Sequence, residues 1–318
     1  ALTLAGFIGK QTGTTGAAAV NLIANGGILD VTNASNTTTT NTDAINLGTV
    51  TVTSGTLGFA NQALVNTAGT AGATSIAMDG GTLRWDAGNT QDITAGGRLT
   101  LVAGKNATFD TNGNDVTLAT AFGGGAIGAS VTKSGSGTLT LDAANSYNGP
   151  TTVAAGILAV DGSIASSSLT TVDSGATLQG TGTVGPALVN GHIAPGNSIG
   201  MLSVNGNLTI SGTLDVEYDG GGSLIDLLAV TGNLNIGSAT VDFAPLNSSL
   251  TGSPYIFATY GSLIGSQFAS VVDLPGGYTI DYAYDNGTTT TNIALVPEPT
   301  VALLAGLGLL GLLRRRRA

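Results

Sequence analysis

Apolar and polar residues alternate through short segments over most of the chain. Clear examples are residues 137–142 (GTLTLD), 206–218 (GNLTISGTLDVEY) and 232–243 (GNLNIGSATVDF). A period of two predicts a β-strand with one buried face. The intervening residues are mostly Gly, Asn, Asp and Ser, which favour turns. The pattern therefore predicts an all-β protein built from many short strands.

The strands recur around the phrase Gly-x-Leu or Gly-x-x-Leu, and several of its leucines are separated by about 20 residues or about twice that. A single coil cannot bury its own apolar face, whereas stacked coils form a continuous narrow core with little room for aromatic rings. We predict a right-handed parallel β-helix over residues 1–243. The alternative is a β-sandwich, which needs hairpin connections and more aromatic residues. The leucines of the phrase are Leu29, Leu57, Leu83, Leu99, Leu139, Leu158, Leu178 and Leu214.

The composition of the chain changes near residue 218, because nearly all the tyrosines lie at or beyond that point. The open end of a solenoid exposes strand edges and core residues, so a bulky terminal cap is a physical need. We predict a C-terminal β cap over residues 244–295. A tyrosine-lined sugar-binding face is the alternative. The tyrosines are Tyr218, Tyr255, Tyr260, Tyr278, Tyr282 and Tyr284.

The composition excludes several classes of protein. Glycine accounts for 50 of 318 residues, charged residues for 9% and aromatic residues for 5%, so compact charged helices are not expected. The hydrophobic fraction of 42% argues against a disordered chain. Because the chain has no cysteine, disulfide scaffolds and thiolate metal sites are excluded.

Most of the chain is strongly acidic. The formal net charge is −10, yet four of the nine basic residues form the cluster Arg314–Arg317. The rest of the chain has 5 basic residues against 19 acidic ones, and these cannot form a basic face that neutralises phosphates. Nucleic acid is therefore not predicted as a partner.

Two motifs suggest cofactor or metal sites, and neither is complete. The stretch GTGTVG carries Gly180, Gly182 and Gly185 at the spacing of a dinucleotide fingerprint, but Pro186 and the residues after it do not begin a helix. The stretch DTNGND (110–115) resembles the start of a calcium loop. However, Asp115 replaces the required glycine and the closing glutamate is missing. We predict no cofactor and no metal.

The candidate catalytic groups are few and scattered. The single histidine, His192, lies in a turn with Gly and Pro and has no acid beside it in sequence. Arg84 and Asp86 flank Trp85 and share one face of a strand, and Asp219 and Asp226 flank a glycine-rich loop. We predict a protein that is not an enzyme. The alternative, a carbohydrate-active protein, requires acids, Arg84 or His192, and aromatic residues to converge in one groove.

Residues 131–162 (VTKSGSGTLTLDAANSYNGPTTVAAGILAVDG) resemble the autotransporter-associated β-strand repeat of passenger domains. Residues 80–94 and 107–124 are similar to segments that precede such a repeat, and residues 191–210 are similar to the segment that comes after it. The resemblance implies a passenger-type β-helix. No amphipathic barrel strands come next in this sequence, so we expect a different delivery system. The matching residues are Lys133, Gly135, Gly137, Thr138, Leu139, Leu141, Asn145, Tyr147, Gly149, Thr151, Thr152, Val153, Gly156 and Leu158.

Residues 296–318 (VPEPTVALLAGLGLLGLLRRRRA) have a different character. Val301–Leu313 is apolar or glycine throughout, and as a helix it would reach ~20 Å, against ~30 Å for the hydrocarbon core of a membrane. Its leucines favour insertion by roughly 3 to 4 kcal/mol, and the arginines after them can reach the interface. The sequence predicts a single transmembrane helix. The positive-inside rule places the arginines in the cytoplasm and the N-terminal body across the membrane. A buried core helix is the alternative.

This segment resembles the PEP-CTERM sorting signal of biofilm-forming Gram-negative bacteria. The three parts of that signal match the motif Pro297, Glu298 and Pro299, the apolar helix, and the membrane stop Arg314, Arg315, Arg316 and Arg317. The resemblance implies recognition by an exosortase, transient anchoring in the inner membrane, and delivery to the cell surface or extracellular matrix. A signal peptide is expected ahead of Ala1. We thus predict an exported structural or adhesive protein associated with exopolysaccharide.

Overall fold

The computed structural model describes residues 2–5, 28–32, 49–52, 55–59, 75–287 and 291–298. These residues form β-strands and one 3₁₀ helix, Ala95–Gly97. The strands of the first half are β1 (Leu2–Ala5), β2 (Ile28–Thr32), β3 (Thr49–Val52), β4 (Thr56–Phe59), β5 (Ser75–Met78), β6 (Thr82–Trp85), β7 (Leu99–Leu101), β8 (Asn106–Asp110), β9 (Val116–Leu118), β10 (Ser130–Ser134), β11 (Thr138–Leu141), β12 (Thr151–Val153), β13 (Ile157–Val160) and β14 (Ser163–Ile164). Those of the second half are β15 (Thr170–Val172), β16 (Thr177–Gly180), β17 (Thr183–Val184), β18 (Ala187–Val189), β19 (His192–Pro195), β20 (Met201–Val204), β21 (Leu208–Ile210), β22 (Thr213–Asp219), β23 (Leu224–Ile225), β24 (Leu227–Val230), β25 (Asn233–Asn235), β26 (Thr240–Pro245), β27 (Tyr255–Thr259), β28 (Ser262–Ile264), β29 (Ser270–Val272), β30 (Tyr278–Asp281) and β31 (Asn292–Pro297).

The strands stack into long sheets whose neighbours come from successive coils. The first sheet has the order β1-β2-β4-β6-β8-β10-β12-β15-β18-β21-β25-β28. The second runs β29-β26-β22-β19-β16-β13-β11-β9, and the third runs β14-β17-β20-β24-β27-β31-β30. A short fourth sheet contains β3, β5 and β7. From β12 to β29 the chain visits the first, second and third sheets in turn, apart from β23, which pairs with β22. Each of these coils therefore adds one strand to each sheet.

Successive coils pair in parallel, as the sequence predicts for a β-solenoid. Leu139 lies opposite Leu158, and Leu158 lies opposite Leu178, so these three leucines of the repeated phrase form a buried column of the second sheet. Burial alternates along the strands, which confirms the period-two pattern. Parallel pairing through the described coils contradicts the β-sandwich alternative. The right-handed sense of the coil stays a prediction.

Aromatic rings form a ladder inside the N-terminal half of the solenoid. Trp85, Phe109, Phe122 and Tyr147 are buried, and the centroids of successive rings lie 6.2, 6.0 and 5.9 Å apart. Rings at these distances gain favourable edge-to-face or stacked contacts. The expectation that a narrow core leaves little room for rings is therefore wrong for these coils, because the rings fit when they pack along the axis.

Beyond residue 243 two kinds of pairing occur together. Parallel pairing continues in the first and second sheets as far as β28 and β29. In the third sheet β31 instead pairs antiparallel with both β27 and β30. Tyr255, Tyr260 and Tyr278 are buried in this region. These tyrosines pack into the core and do not form the sugar-binding face that was the alternative interpretation.

The described residues contain no helix that is both long and apolar enough to cross a membrane. The apolar run Val301–Leu313 and the cluster Arg314–Arg317 lie outside the described residues. The transmembrane helix and its arginine stop therefore stay predictions.

Candidate functional site

A groove of about 290 Å³ lies along the second sheet, in the coils between β16 and β26. One side is formed by outward-facing side chains of the sheet, and the other by the loop after β19. Four of the side chains that line it are carboxylic acids. The lining residues are Gln179, Ala194, Pro195, Gly196, Asn197, Ser198, Asp215, Glu217, Asp226, Asp242 and Ala244.

The strand register explains which side chains of the sheet line the groove. Gln179 lies opposite Ala194 on the next coil, and Asp215 lies opposite Asp242 on the adjacent pair of strands. These residues occupy outward positions, because the residues between them are buried. The methyl group of Ala194 fills little of the space that the longer neighbours leave, so a depression forms. Asp215 and Asp242 face into it from adjacent strands, which in a sheet lie about 4.8 Å apart.

His192 belongs to the edge of the groove. It lies opposite Thr213, so Asp215 is its diagonal neighbour on the next strand. His192 Nδ1 and Asp215 Oδ2 are 2.9 Å apart, and both side chains are partly exposed. Burial raises the pKa of Asp215 above its usual value, the hydrogen bond and charge of His192 lower it, and Asp242 raises it again. The pair places a hydrogen-bonded imidazole beside two carboxylates.

Asp226 is the buried acid of the groove. Its Oδ1 accepts a hydrogen bond from the Gly200 backbone N–H at 2.8 Å, and its Oδ2 accepts one from the Glu217 N–H at 2.7 Å. Burial raises the pKa of Asp226 to about 7, although both hydrogen bonds favour the ionised form. The carboxyl group thus ties the loop after β19 to β22. It also changes charge near neutral pH.

The groove suits a neutral or cationic ligand that is rich in hydroxyl or amino groups. None of the described residues that line it is basic or aromatic. Clusters of three or more potential metal ligands are absent from the described part of the chain. Carboxylates accept hydrogen bonds and attract cations, whereas they repel phosphates and other anions.

Only part of the set required for a carbohydrate-active site comes together. Asp226 lines the groove, and His192 reaches only its edge through the hydrogen bond with Asp215. Trp85 is buried in the first sheet between Arg84 and Asp86. Asp219 is partly exposed, and accepts hydrogen bonds from Asn247 and Gly221 instead of meeting Asp226.

The sequence analysis missed three of the four acids that line the groove, Asp215, Glu217 and Asp242. One signal could have found two of them. The strands TLDVEYD and TVDFAP, which begin at Thr213 and Thr240, align without a gap and place an aspartate at the same position.

The two rejected motifs have structural roles. Gly180, Gly182 and Gly185 lie at corners where a Cβ atom would meet backbone carbonyls of the preceding coil, and strands instead of a helix come after them. In DTNGND, the Asn112 and Asn114 amides donate to backbone oxygens of the preceding coil. Asparagine stacking therefore accounts for the calcium-like spacing.

The sorting motif is only partly described. Pro297 is the last residue of β31 and lies opposite Tyr278. Glu298 is exposed, and its backbone N–H donates to the Gly277 carbonyl at 2.8 Å. Pro299 and Arg314, Arg315, Arg316 and Arg317 lie outside the described residues.

The coil formed by β10 to β13 contains a lysine in the apolar core. Lys133 occupies an inward position between Phe109 and Val153 and is fully buried. Its Nζ donates to the backbone oxygens of Ser134, Gly135 and Ala155 at 2.7 to 3.1 Å. Burial lowers the pKa of Lys133 to about 8, opposed by the nearby carboxylates of Asp110 and Asp115.

This coil matches a known family of protein repeats. Residues 131–160 match the model of the passenger-associated-transport-repeat family. The chain contains a passenger-associated transport repeat. The passenger repeat includes the buried Lys133 and all of β11 and β12, but none of the residues that line the groove. The groove therefore lies in coils C-terminal to the passenger repeat, and the family match does not account for it.

Two characterised proteins are similar to longer stretches of the chain. An extracellular serine protease of Serratia marcescens is 38% identical over 172 residues, which are 53% of this chain and 15% of that protein. The adhesin BmaC autotransporter of Brucella suis biovar 1 (strain 1330) is 33% identical over 169 residues, which are 40% of this chain and 5% of that protein. The chain thus spans a small fraction of either relative. Since one is a protease, the absence of enzymatic activity stays a prediction.

Proposed function

We propose that this protein is an exported, non-catalytic surface or matrix protein with a structural or adhesive role. The observation that carries the proposal is the passenger repeat within a continuous parallel solenoid. Similarity to an adhesin autotransporter supports it. The chemistry agrees, because stacked coils present a long, hydroxyl-rich and acidic surface that contacts polymers without needing a catalytic centre.

The same proposal includes delivery by a sorting system. Residues 296–318 resemble a PEP-CTERM signal, so an exosortase is the proposed partner and the inner membrane is the proposed transient anchor. Glu298 is exposed where β31 ends, and a processing enzyme could approach it there. Release would leave the body at the cell surface or in an exopolysaccharide matrix.

The test is expression in a host with and without its exosortase, followed by mass spectrometry of the C-terminus. We expect the intact C-terminal segment in the deletion strain and its loss in the complete strain. Glu298→Ala should block the loss, whereas Asp285→Ala, which removes another exposed acid near the same end, should not. An intact segment in both strains would refute sorting, and a body that never reaches the cell surface would refute the surface role.

A second candidate function is binding of a neutral or amino-containing polysaccharide, with or without its degradation. The observation that favours it is the convergence of Asp215, Asp226 and Asp242 in one groove, with His192 hydrogen-bonded to Asp215 at its edge. Charge complementarity favours a cationic polymer over an anionic one.

This second function can be tested with purified protein, a soluble glucosamine polymer and an anionic uronate polymer. The double variant Asp215→Asn/Asp242→Asn should bind the glucosamine polymer about thirty-fold more weakly, because each of the two carboxylates contributes roughly 1 kcal/mol. The control Asp142→Asn/Asp285→Asn removes two exposed acids outside the groove and should bind normally. Equal loss in both double variants would contradict a groove site. Released reducing ends would indicate degradation.

A further inference from the structure

The C-terminal end of the solenoid leaves core positions uncovered in two of its sheets. β28 and β29 are the last strands of the first and second sheets. Val271 lies opposite Val241, and Leu263 lies opposite Leu234; both partners are completely buried. Val271 nevertheless has 41% of its surface exposed, and Leu263 is only half-buried. Two apolar columns of the core therefore end on residues that no described strand covers.

Three further exposed apolar residues follow these column ends in sequence. Two of them, Ile264 and Val272, lie opposite Asn235 and Asp242, so they face outward next to Leu263 and Val271. Ile264, Val272 and Leu274 are 47%, 37% and 40% exposed. Together with Leu263 and Val271 they form what we call the terminal patch. The third sheet differs, because its antiparallel strands β31 and β30 extend beyond β27 and bury Tyr278. The end of the solenoid is thus closed over one sheet and open over the other two.

The chain leaves the described structure beside the terminal patch. The hydrogen bond from the Glu298 N–H to the Gly277 carbonyl holds the end of β31 next to the start of β30. Gly277 is three residues from Leu274, a path of at most ~10 Å. The apolar run Val301–Leu313 begins three residues after Glu298, so a similar length of chain brings it to the patch.

Charge also favours this segment over a second copy of the chain. Asp273, Asp281 and Asp285 lie in and around the strands of this end, and the chain outside the arginine cluster has 19 acids against 5 basic residues. Two such ends would repel each other. The segment that begins after Glu298 carries the complementary groups, thirteen apolar or glycine residues followed by Arg314–Arg317.

We propose that residues 301–313 dock in cis on the terminal patch whenever they are outside a membrane. They would cover Val271 and Leu263 as a further coil would, and the arginines would lie near the acids of this end. The solenoid thereby shields its own most apolar segment from aggregation. This inference does not require that the segment is a sorting signal.

The absence of cysteine allows a direct test in the full chain. The pair Val271→Cys/Leu307→Cys is treated with a bifunctional maleimide in dilute, detergent-free solution. We expect an intramolecular cross-link whose yield does not depend on protein concentration. The control pair Ile127→Cys/Leu307→Cys uses a residue that is 75% exposed between β9 and β10. It should react about tenfold less, because docking raises the effective concentration only at the patch.

Equal intramolecular yields for the two pairs would overturn the proposal. Cross-links that form only between molecules would also overturn it, and would identify a second copy of the chain as the occupant of the patch. Leu274→Cys/Leu307→Cys serves as a second patch pair in case the Val271 variant does not fold, which circular dichroism reports. The outcome is separable from sorting. Exosortase processing is measured in cells and can succeed or fail whatever the purified chain shows.

Discussion

Single glycines decide how closely the coils stack, and Gly156 in the passenger repeat shows why. Its φ of +66° lies in the left-handed region. A Cβ atom at this position would lie 2.5 Å from the Gly135 oxygen, 2.6 Å from the Gly137 oxygen and 2.9 Å from Lys133 Nζ. The same turn thus supplies the bend in the chain and the space in which the buried ammonium meets its backbone acceptors.

Gly156→Ala should therefore destabilise the protein far more than an alanine at an open left-handed position. Gly175 has a φ of +82° and no atom within 4 Å of a built Cβ, so Gly175→Ala should cost only the ~1–2 kcal/mol of the backbone conformation. Overpacking should add ~1–3 kcal/mol at Gly156. Urea unfolding followed by circular dichroism measures both. Equal losses would show that the coils can separate to accept a methyl group.

Asp226 makes stability depend on pH in a defined window. Its pKa is about 7 in the folded protein against 3.8 ordinarily, so between these values only the unfolded carboxyl has lost its proton. The free energy of unfolding should fall as pH rises from about 4 to 7, by up to about 1.4 kcal/mol per unit. Asp226→Asn should flatten this slope, as measured by urea unfolding at pH 5 and 7.5.

The matched control for this pH effect is Asp219→Asn. Asp219 is partly exposed, and its hydrogen bonds with Asn247 and Gly221 lower its pKa. Its contribution to the free energy of unfolding is therefore lost only below about pH 4. The slope between pH 5 and 7.5 should therefore stay unchanged in this variant. If Asp226→Asn keeps the wild-type slope, then Asp226 is not the group that titrates.

At the scale of the strand, the ring ladder connects successive N-terminal coils through the core. Phe109 of β8 contacts Trp85 on one side and Phe122 on the other, and it is fully buried. Phe109→Ala should cost ~3–5 kcal/mol, because it opens a cavity and interrupts the stack. Ile127→Ala, at an exposed loop position, should change stability by less than about 0.5 kcal/mol. A small effect of Phe109→Ala on urea unfolding would mean that neighbouring rings close the gap.

The strand pattern and the leucine columns could be predicted from sequence, because each strand's alternation is local and the phrase recurs. The groove could not be predicted, because coil length varies. Fifteen residues separate Leu178 from its partner Ile193, whereas 27 separate Leu214 from its partner Val241. The step between them, from Ile193 to Leu214, spans 21 residues, so a fixed period loses the register on both sides of the pair His192 and Asp215. The burial of Lys133 could not be predicted either, because its hydrogen-bond partners are backbone oxygens and leave no signal in the sequence.

At the scale of the whole molecule, one end differs from the rest. Coils in the middle are covered on both sides, so the apolar residues that face the core are buried there, whereas the coil of β28 and β29 has a neighbour on one side only. In a stack where each coil contacts only its neighbours, stability depends on how such an end is covered. If residues 301–313 cover this end, attraction between the arginines and the acidic body would add to the apolar contacts.

The distribution of aromatic residues along the rod makes its two ends optically distinct. The sole tryptophan, Trp85, lies in the N-terminal ladder, while six of the seven tyrosines lie at or beyond Tyr218. Indole emission therefore reports melting of the N-terminal coils, and phenol absorbance mainly reports melting of the C-terminal ones. Recording indole emission and phenol absorbance during one refolding experiment would show which end of the solenoid folds first, without attaching a dye.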